Sequence, residues 1–278
     1  MNRNAPIKDV LAIVDGWPSS MSAVDQALAY AGQYEATLTV IVITENLSLA
    51  AAIDPMAYAQ VLTVSDQQQS EHLAAVRERA KNAAIHVEVR GLFEATTLLP
   101  GLTKAEGQYA DVALIPGADR WQNDGLRRHI TEALIFAGVP TLVMPATWKP
   151  SPARHVALGW NASLEAFRAA RAALNLVEPN SQIDVVIVDG LESAKSGQPL
   201  TGMHIARHLA RHGHNANVHA TSSATRGTAG ALQFFAAHQN ADLLIVGGYG
   251  RSRAVEFVLG GVTRELLGNQ RLPILFVH

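Results

Sequence analysis

An α/β fold of two tandem open parallel sheets, each with five strands and helices on both faces, is predicted by three observations. Short apolar runs rich in β-branched residues alternate with stretches of helical period along the chain. The wording of the first half returns in the second. AEGQYADVALIPGA, from Ala105, matches AAHQNADLLIVGGY, from Ala236, and GVPTLVMP matches RLPILFVH. A repeat this much longer than a solenoid unit argues for a duplicated domain. Third, Pro150 and Pro152 in ATWKPSPAR mark an extended linker, which puts the domains at residues 1–148 and 153–278.

In the first half, residues 9–14 (DVLAIV) are an apolar run that stops at Asp15-Gly16, a strand entering a loop. Residues 19–33 have helical spacing, with Val24, Ala27, Leu28 and Ala31 on one face. Residues 37–43 (TLTVIVI) read as a second buried strand. Pro55 interrupts residues 45–64, which are expected to be a loop or short helical insertion. A charged amphipathic helix over 67–84 and an alternating, edge-like strand over 85–89 follow. A helix at 96–106, a strand at 111–115, a helix at 126–136 and a strand at 141–144 complete five strands alternating with four helices.

The pattern then restarts, since VALGWNAS at 156–163 echoes LAIVDGWPS and IDVVIVDG, from Ile183, echoes TLTVIVIT. Helices are expected at 164–176, 201–212 and 228–238, with a strand near 217–220. Residues 243–246 are an unbroken apolar run behind Asp242, as suits a strand buried on both faces of a parallel sheet.

Composition narrows the function classes. With 48% hydrophobic and 17% charged residues among 278, the chain can bury a substantial core. A net charge of −2 and a pI near 6.6 supply no basic field for nucleic acid. No cysteine is present, so disulfides, thiol nucleophiles and cysteine–metal sites are excluded. The start, MNRNAPIKDV, lacks the apolar core of a signal peptide, and no apolar run approaches membrane-spanning length. The expectation is a soluble cytoplasmic protein with no nucleic-acid or membrane partner.

The chemistry is concentrated in ADLLIVGGYGRSRAVEFVLGGVT, residues 241–263. Gly247, Gly250 and Gly260 stand at fixed distances behind a buried strand, with Gly261 directly before the helical wording VTRELL. Glycines at the carboxyl end of a strand let bare N–H groups approach an anion. A helix N-terminus adds donors that no helical carbonyl meets. The same glycines would equally permit a tight turn and close helix packing. The pattern is neither a P-loop nor a dinucleotide fingerprint, because neither Gly-Lys-Ser/Thr nor Gly-x-Gly-x-x-Gly occurs.

Gly-x2-Gly-x9-Gly between a hydrophobic strand and the last helix resembles the nucleotide-binding motif of the universal stress protein family, and GGYGRSRAVEFVLGGVTRELL is similar to the second half of its tandem members. The resemblance spans nearly the whole chain. It implies a Rossmann-like, adenine nucleotide alpha hydrolase-like fold with strand order 3-2-1-4-5 in each half. It also implies an intrachain pseudo-dimer in which the two final strands pair, leaving a homodimer of the chain open. The implied ligand is ATP or a related adenine nucleotide, with or without Mg2+. By match to the motif, the backbone of Gly247, Gly250, Gly260, Gly261 and Val262 would contact phosphates and Thr263 would add a hydroxyl. Gly261 departs from the family's usual Ser or Thr, which removes a side-chain donor and keeps the N–H.

Ligands of open parallel sheets lie beyond the carboxyl strand ends where the strand order reverses, which with the order that the resemblance implies is between Trp160-Asn161 and Gly247. Asn161 stands where the family often has Asp, at the base or sugar end. Its amide offers a donor and an acceptor; an Asx-turn or helix-capping role accounts for it equally well. Arg251 and Arg253 could reach anionic oxygens, or simply face water. In the first half Pro116 and Asp119 replace the first two glycines, and Arg128-His129 replaces Gly260-Gly261. That half is expected to have lost the cradle, leaving one nucleotide site, with Asp15 a turn residue.

His204, His208 and His212 recur every fourth residue, with His214 just beyond. Without a flanking Glu they read as the polar border of a helix whose buried face holds Ile205 and Leu209. No catalytic serine elbow and no set for phosphoryl transfer can be assembled; Asp189 is the one second-half acid that could be considered for a metal. Binding is therefore better supported than turnover. A nucleotide-free dimerising protein and a slow ATP hydrolase are the alternatives.

Overall fold

The structure is a computed structural model that describes residues 7–16, 20–46, 55–190, 202–249, 261–268 and 270–278. It divides into two compact units, Ile7–Val139 and one that includes Pro140–His278. In the first, β1 (Asp9–Asp15), β2 (Thr37–Asn46), β3 (Val87–Ala95) and β4 (Val112–Pro116) form a parallel sheet in the order β3-β2-β1-β4. Alternation along β1 sends Leu11 and Ile13 to one face. There they join a core with Leu99 of α3 (Leu99–Gly107) and Leu126, Ile130 and Leu134 of α4 (Asp124–Phe136). The opposite face carries α1 (Met21–Tyr34), which buries Ala23, Val24, Ala27 and Ala31.

One expected loop is a helix. α2 runs from Pro55 to Ala80 over 26 residues, where the sequence suggested a break at Pro55 and a helix beginning only near residue 67. The proline opens the helix instead of interrupting it. At the first helical position its missing N–H would have had no partner, and its fixed φ suits the turn.

In the second unit, β6 (His155–Gly159), β7 (Gln182–Val188), β8 (Asn215–Thr221), β9 (Leu243–Gly247) and β10 (Ile274–Val277) lie parallel in the order β8-β7-β6-β9-β10. This is the order 3-2-1-4-5. β5 (Thr141–Met144), fifth in the chain, pairs antiparallel with β10, as expected of the two final strands. Both are fully buried. α5 (Leu164–Leu176) and α6 (Met203–Arg211) pack together, as do α7 (Gly227–His238) and α8 (Gly261–Gly268). Ser163 caps α5 by accepting from the Ala166 N–H at 3.1 Å.

The duplication extends to single hydrogen bonds. Asp111 Oδ2 accepts from the N–H groups of Lys8 (2.6 Å) and Asp9 (3.0 Å) at the start of β1. Asp242 Oδ2 accepts from Arg154 and His155, both at 2.9 Å, at the start of β6. Each aspartate thus clamps the first strand of its unit from the residue before the fourth, and the repeated Ala-Asp wording records that device.

β7 also carries a carboxylate with 1% of its side chain exposed. Asp184 lies 2.7 Å from His155 Nε2 and 3.1 Å from His219 Nε2, and the Gln182 amide donates to it at 3.2 Å. Burial alone would raise the Asp184 pKa. The bonds from His155, Gln182 and His219, with the charge of His219, outweigh that and leave it below the ordinary carboxylate value. A depressed folded pKa stabilises the fold above the unfolded carboxylate value of about 3.9, and the gain disappears as pH falls through the folded pKa. Thermal unfolding measured from pH 6 down to pH 2 should therefore show an acid-side loss that is shallower in Asp184→Asn. An unchanged acid limb in that variant would contradict the assignment.

Candidate functional site

β6 and β9 are neighbours, β7 continues the sheet on one side and β10 on the other, so the strand order reverses between β6 and β9. Beyond their carboxyl ends lies a cavity of about 270 Å³. Val186 and Val188 of β7, Val246 of β9 and Leu232 of α7 give it an apolar floor. Trp160 and Asn161 lie at the end of β6, Gly261, Val262 and Thr263 form the first turn of α8, and Thr228 comes from the first turn of α7. Among the described lining residues none is charged. The cavity can accept a flat apolar group over the valines and an anion at the α8 N-terminus, where the first N–H groups have no acceptor within the helix.

The glycines differ in what they make room for. A Cβ at Gly247 would lie 2.6 Å from the Ala166 nitrogen and 2.7 Å from the Glu165 carbonyl carbon, so this glycine lets the first turn of α5 seat against the end of β9. A Cβ at Gly261 would meet nothing within 4 Å among the described residues. Two further loop amides are already engaged. Gly248 N–H donates to the Val277 carbonyl at 2.8 Å, and Tyr249 N–H donates to Thr263 Oγ1 at 3.3 Å. Tyr249 holds a left-handed φ of 60°, which turns the chain out of β9. Thr263 is buried and its hydroxyl oxygen ties down this turn. Gly250, Arg251, Arg253 and Gly260 lie outside the described residues.

Asn161 Oδ1 accepts from the Ser163 N–H at 3.1 Å, an Asx-turn, while Ser163 itself caps α5. The turn reading of Asn161 therefore holds, and the same residue also lines the cavity. Sequence reasoning missed Val186, Val188, Thr228 and Leu232. The two valines share one face of β7 by alternation, and once that strand was placed beside β6 their position over the crevice could have been inferred.

The corresponding corner of the first unit is filled by its own groups. A 3-10 turn, Ala118–Arg120, follows β4. Arg120 is buried and donates to Gln26 Oε1 at 2.6 Å, and Trp121 joins the core. The Gln122 N–H donates to Asp15 Oδ2 at 2.6 Å, so Asp15 is not merely a turn residue: it ties the end of β1 to the loop after β4. Burial raises the Asp15 pKa against the opposing Gln122 hydrogen bond, and nearby Glu45 adds to the rise. α4 begins at Asp124, with the Asn123 side chain accepting from the Leu126 N–H at 3.0 Å. Arg128-His129 therefore lie within the helix, and its N-terminus is capped by the chain itself.

On α6, Ile205 and Leu209 are buried, and the His208 and His212 rings meet edge-on with centroids 4.7 Å apart. Buried His214 shares a hydrogen bond of 2.9 Å with Ser181 Oγ. Asp189 Oδ1 accepts from the Ser223 N–H at 2.9 Å, and these Ser223 hydrogen bonds lower its pKa. Among the described residues no three His, Asp or Glu side chains are grouped to hold a metal, and no helix is long and apolar enough to cross a membrane.

Comparison with known proteins adds a family match and fold likenesses. Residues 6–98 match the model of the Universal stress protein family. No curated protein matches the chain. Among solved structures, a universal stress protein from Archaeoglobus fulgidus DSM 4304 is similar at 16% identity and a TM-score of 0.68, covering 97% of this chain and 95% of that one. A Pseudomonas aeruginosa UCBPP-PA14 protein described as of the same type is similar at 14% identity and a TM-score of 0.59, covering 99% and 95% respectively. A universal stress protein solved in complex with cAMP matches 46% of this chain and 99% of its own, at 20% identity and a TM-score of 0.34.

Proposed function

We propose, of a chain whose residues 6–98 match the Universal stress protein family model and whose fold along nearly its whole length is like that of solved universal stress proteins, that it is a stress-response module whose C-terminal unit binds ATP or a related adenine nucleotide. The observation that carries this reading is the cavity at the reversal of strand order, apolar over Val186 and Val188 and closed at one side by the first turn of α8. The base would lie over the valines beside Trp160 and Asn161. The phosphates would lie toward Gly261, Val262 and Thr263, where no described residue stands within 4 Å of a Cβ position at Gly261 and an anion could come close to the backbone. Gly247 supports the site as a packing point for α5, and Gly250, Arg251 and Gly260 complete the proposed set. The described lining holds no carboxylate, so Mg2+ would enter chelated by the nucleotide.

Binding rather than turnover is the role assigned, because no acid or base side chain lines the described cavity. One observation favours a nucleotide-free, dimerising role instead: the amides of Gly248 and Tyr249 are spent within the protein. Titration calorimetry of the full chain with ATP, ADP, AMP and adenosine separates the two. Saturable binding at one site per chain is expected, and no binding of any of the four would overturn the nucleotide reading.

A further inference from the structure

The overall charge of −2 conceals two opposed regions. Acidic residues outnumber basic ones over Ile7–Val139, and basic residues outnumber acidic ones over Pro140–His278. Within the second unit the basic excess is concentrated on two helices that pack together, α5 and α6. Helical spacing turns Arg168 and Arg171 of α5, and Arg207 and Arg211 of α6, away from the buried stripes of Ala169 and Ala173 and of Ile205 and Leu209. All four arginines are exposed, and none has a hydrogen-bond or ion-pair partner among the described residues. Glu165 is the one acid on the two helices. Arginines of the first unit are placed differently: Arg79 is paired with Asp25, Arg90 with Glu88 and Glu106, and Arg127 with Asp124. Rings lie among the unpaired cations. Phe167 of α5, 41% exposed, has its ring centroid 6.5 Å from that of His208 of α6, and His208 in turn meets His212 at 4.7 Å.

We propose that the α5–α6 face of the second unit binds single-stranded RNA. A total charge near zero excludes a basic field over the whole molecule and leaves a local one standing. Four cations without counter-charges attract a chain of phosphates, and the counterions released from that chain drive association further. Arginine at all four positions suits this partner, because a guanidinium both forks onto phosphate oxygens and stacks on a base. Phe167 and the two imidazoles supply flat surfaces for unpaired bases, which a duplex, with its bases already stacked, cannot use. A neutral imidazole carries one donor and one acceptor nitrogen, matching a ribose 2′-hydroxyl that both donates and accepts. A second copy of the chain is a poorer fit. It would bring its acidic first unit, but the carboxylates of Asp25, Glu78, Glu88, Glu106 and Asp124 there are already met by cations of the same unit.

The test is fluorescence anisotropy of the full chain with a labelled oligouridylate of about 12 nucleotides, a probe without adenine. Saturable binding at low salt is expected, unchanged by excess ATP, with log K falling against log salt at a slope of about −3, or about 0.7 for each of four phosphates. Arg171→Gln and Arg207→Gln should each weaken binding and make the slope shallower by about 0.7. Phe167→Ala should weaken binding about tenfold and leave the slope alone. An oligodeoxyuridylate of the same length should bind about fivefold more weakly, the effect of one lost hydrogen bond. All three substitutions change exposed side chains, and thermal unfolding confirms that each variant is folded. No binding at low salt, or binding that ignores the arginine substitutions, would overturn the site. Affinity that depends on the arginines while Phe167→Ala changes nothing would overturn base stacking and reduce the face to a general polyanion surface. Equal affinity for the DNA probe would remove the assignment to RNA. A salt-sensitive dimer in sedimentation that the same arginine substitutions abolish, with no oligouridylate bound, would give the face to a second copy of the chain instead. None of these outcomes depends on whether ATP binds, so this face and the nucleotide cavity stand or fall separately.

Discussion

Replacing Gly247 with alanine is expected to lower the stability of the chain by about 3 kcal/mol, although alanine is the smallest possible change. The added Cβ would sit 2.6 Å from the Ala166 nitrogen and 2.7 Å from the Glu165 carbonyl carbon, both backbone atoms that cannot rotate aside. Relief requires α5 to move off the end of β9. That movement also strains the Ser163 cap, whose acceptor meets the same Ala166 N–H. Overpacking of a tight site costs about 1–3 kcal/mol and loss of a cap about 1 kcal/mol more. Urea unfolding followed by circular dichroism measures the difference. A variant as stable as the wild type would show that α5 does not rest on Gly247. Because Gly247 and Ala166 both line the cavity, ligand binding should fall as well, and the stability loss distinguishes this packing effect from loss of a phosphate contact.

The architecture was readable because its signals are local or repeated. Short apolar runs rich in β-branched residues, such as DVLAIV and IDVVIVDG, suit strands between two covered layers, and the Ala-Asp wording before β4 and β9 recurs because both aspartates make the same clamp. α2 was misread for a physical reason: a proline's effect depends on whether it falls inside a helix or at its first position, and periodicity does not locate the first position. The site was legible where backbone geometry dictates it, at the carboxyl ends of β6 and β9 and at the start of α8. It was not legible where long-range packing decides it. Nothing in the wording around Gly247 announces that it is α5 that fills the space beside it, and the wording near Asn161 allows a turn role and a ligand role alike until its oxygen is found to accept from Ser163. Gly247 and Gly261 look alike in sequence, yet one is enclosed by backbone and the other has no described residue within 4 Å of its Cβ position.

That contrast gives the second large effect, in which Gly261→Glu should leave the fold intact and weaken ATP binding by about ten- to a hundredfold. Among the described residues no atom lies within 4 Å of where the new Cβ would stand, so none of them opposes it. Glutamate in the first turn of α8 is also favoured over glycine, by its higher helix propensity and by the partial positive charge of the helix N-terminus. The unfolding temperature should hold or rise slightly. The same carboxylate would occupy the corner proposed for phosphate, neutralise the field that draws an anion there, and repel a triphosphate directly. Adenosine carries no phosphate and should lose far less affinity. The decisive quantity is therefore the ratio of ATP to adenosine affinity in the variant relative to the wild type, measured at fixed ionic strength because screening reduces the repulsion. A ratio that does not move would show that phosphates do not lie at the start of α8. A fall in ATP affinity matched by adenosine would mean that the new side chain blocks the cavity as a whole, and only a selective fall assigns the anion to the amides of the first turn.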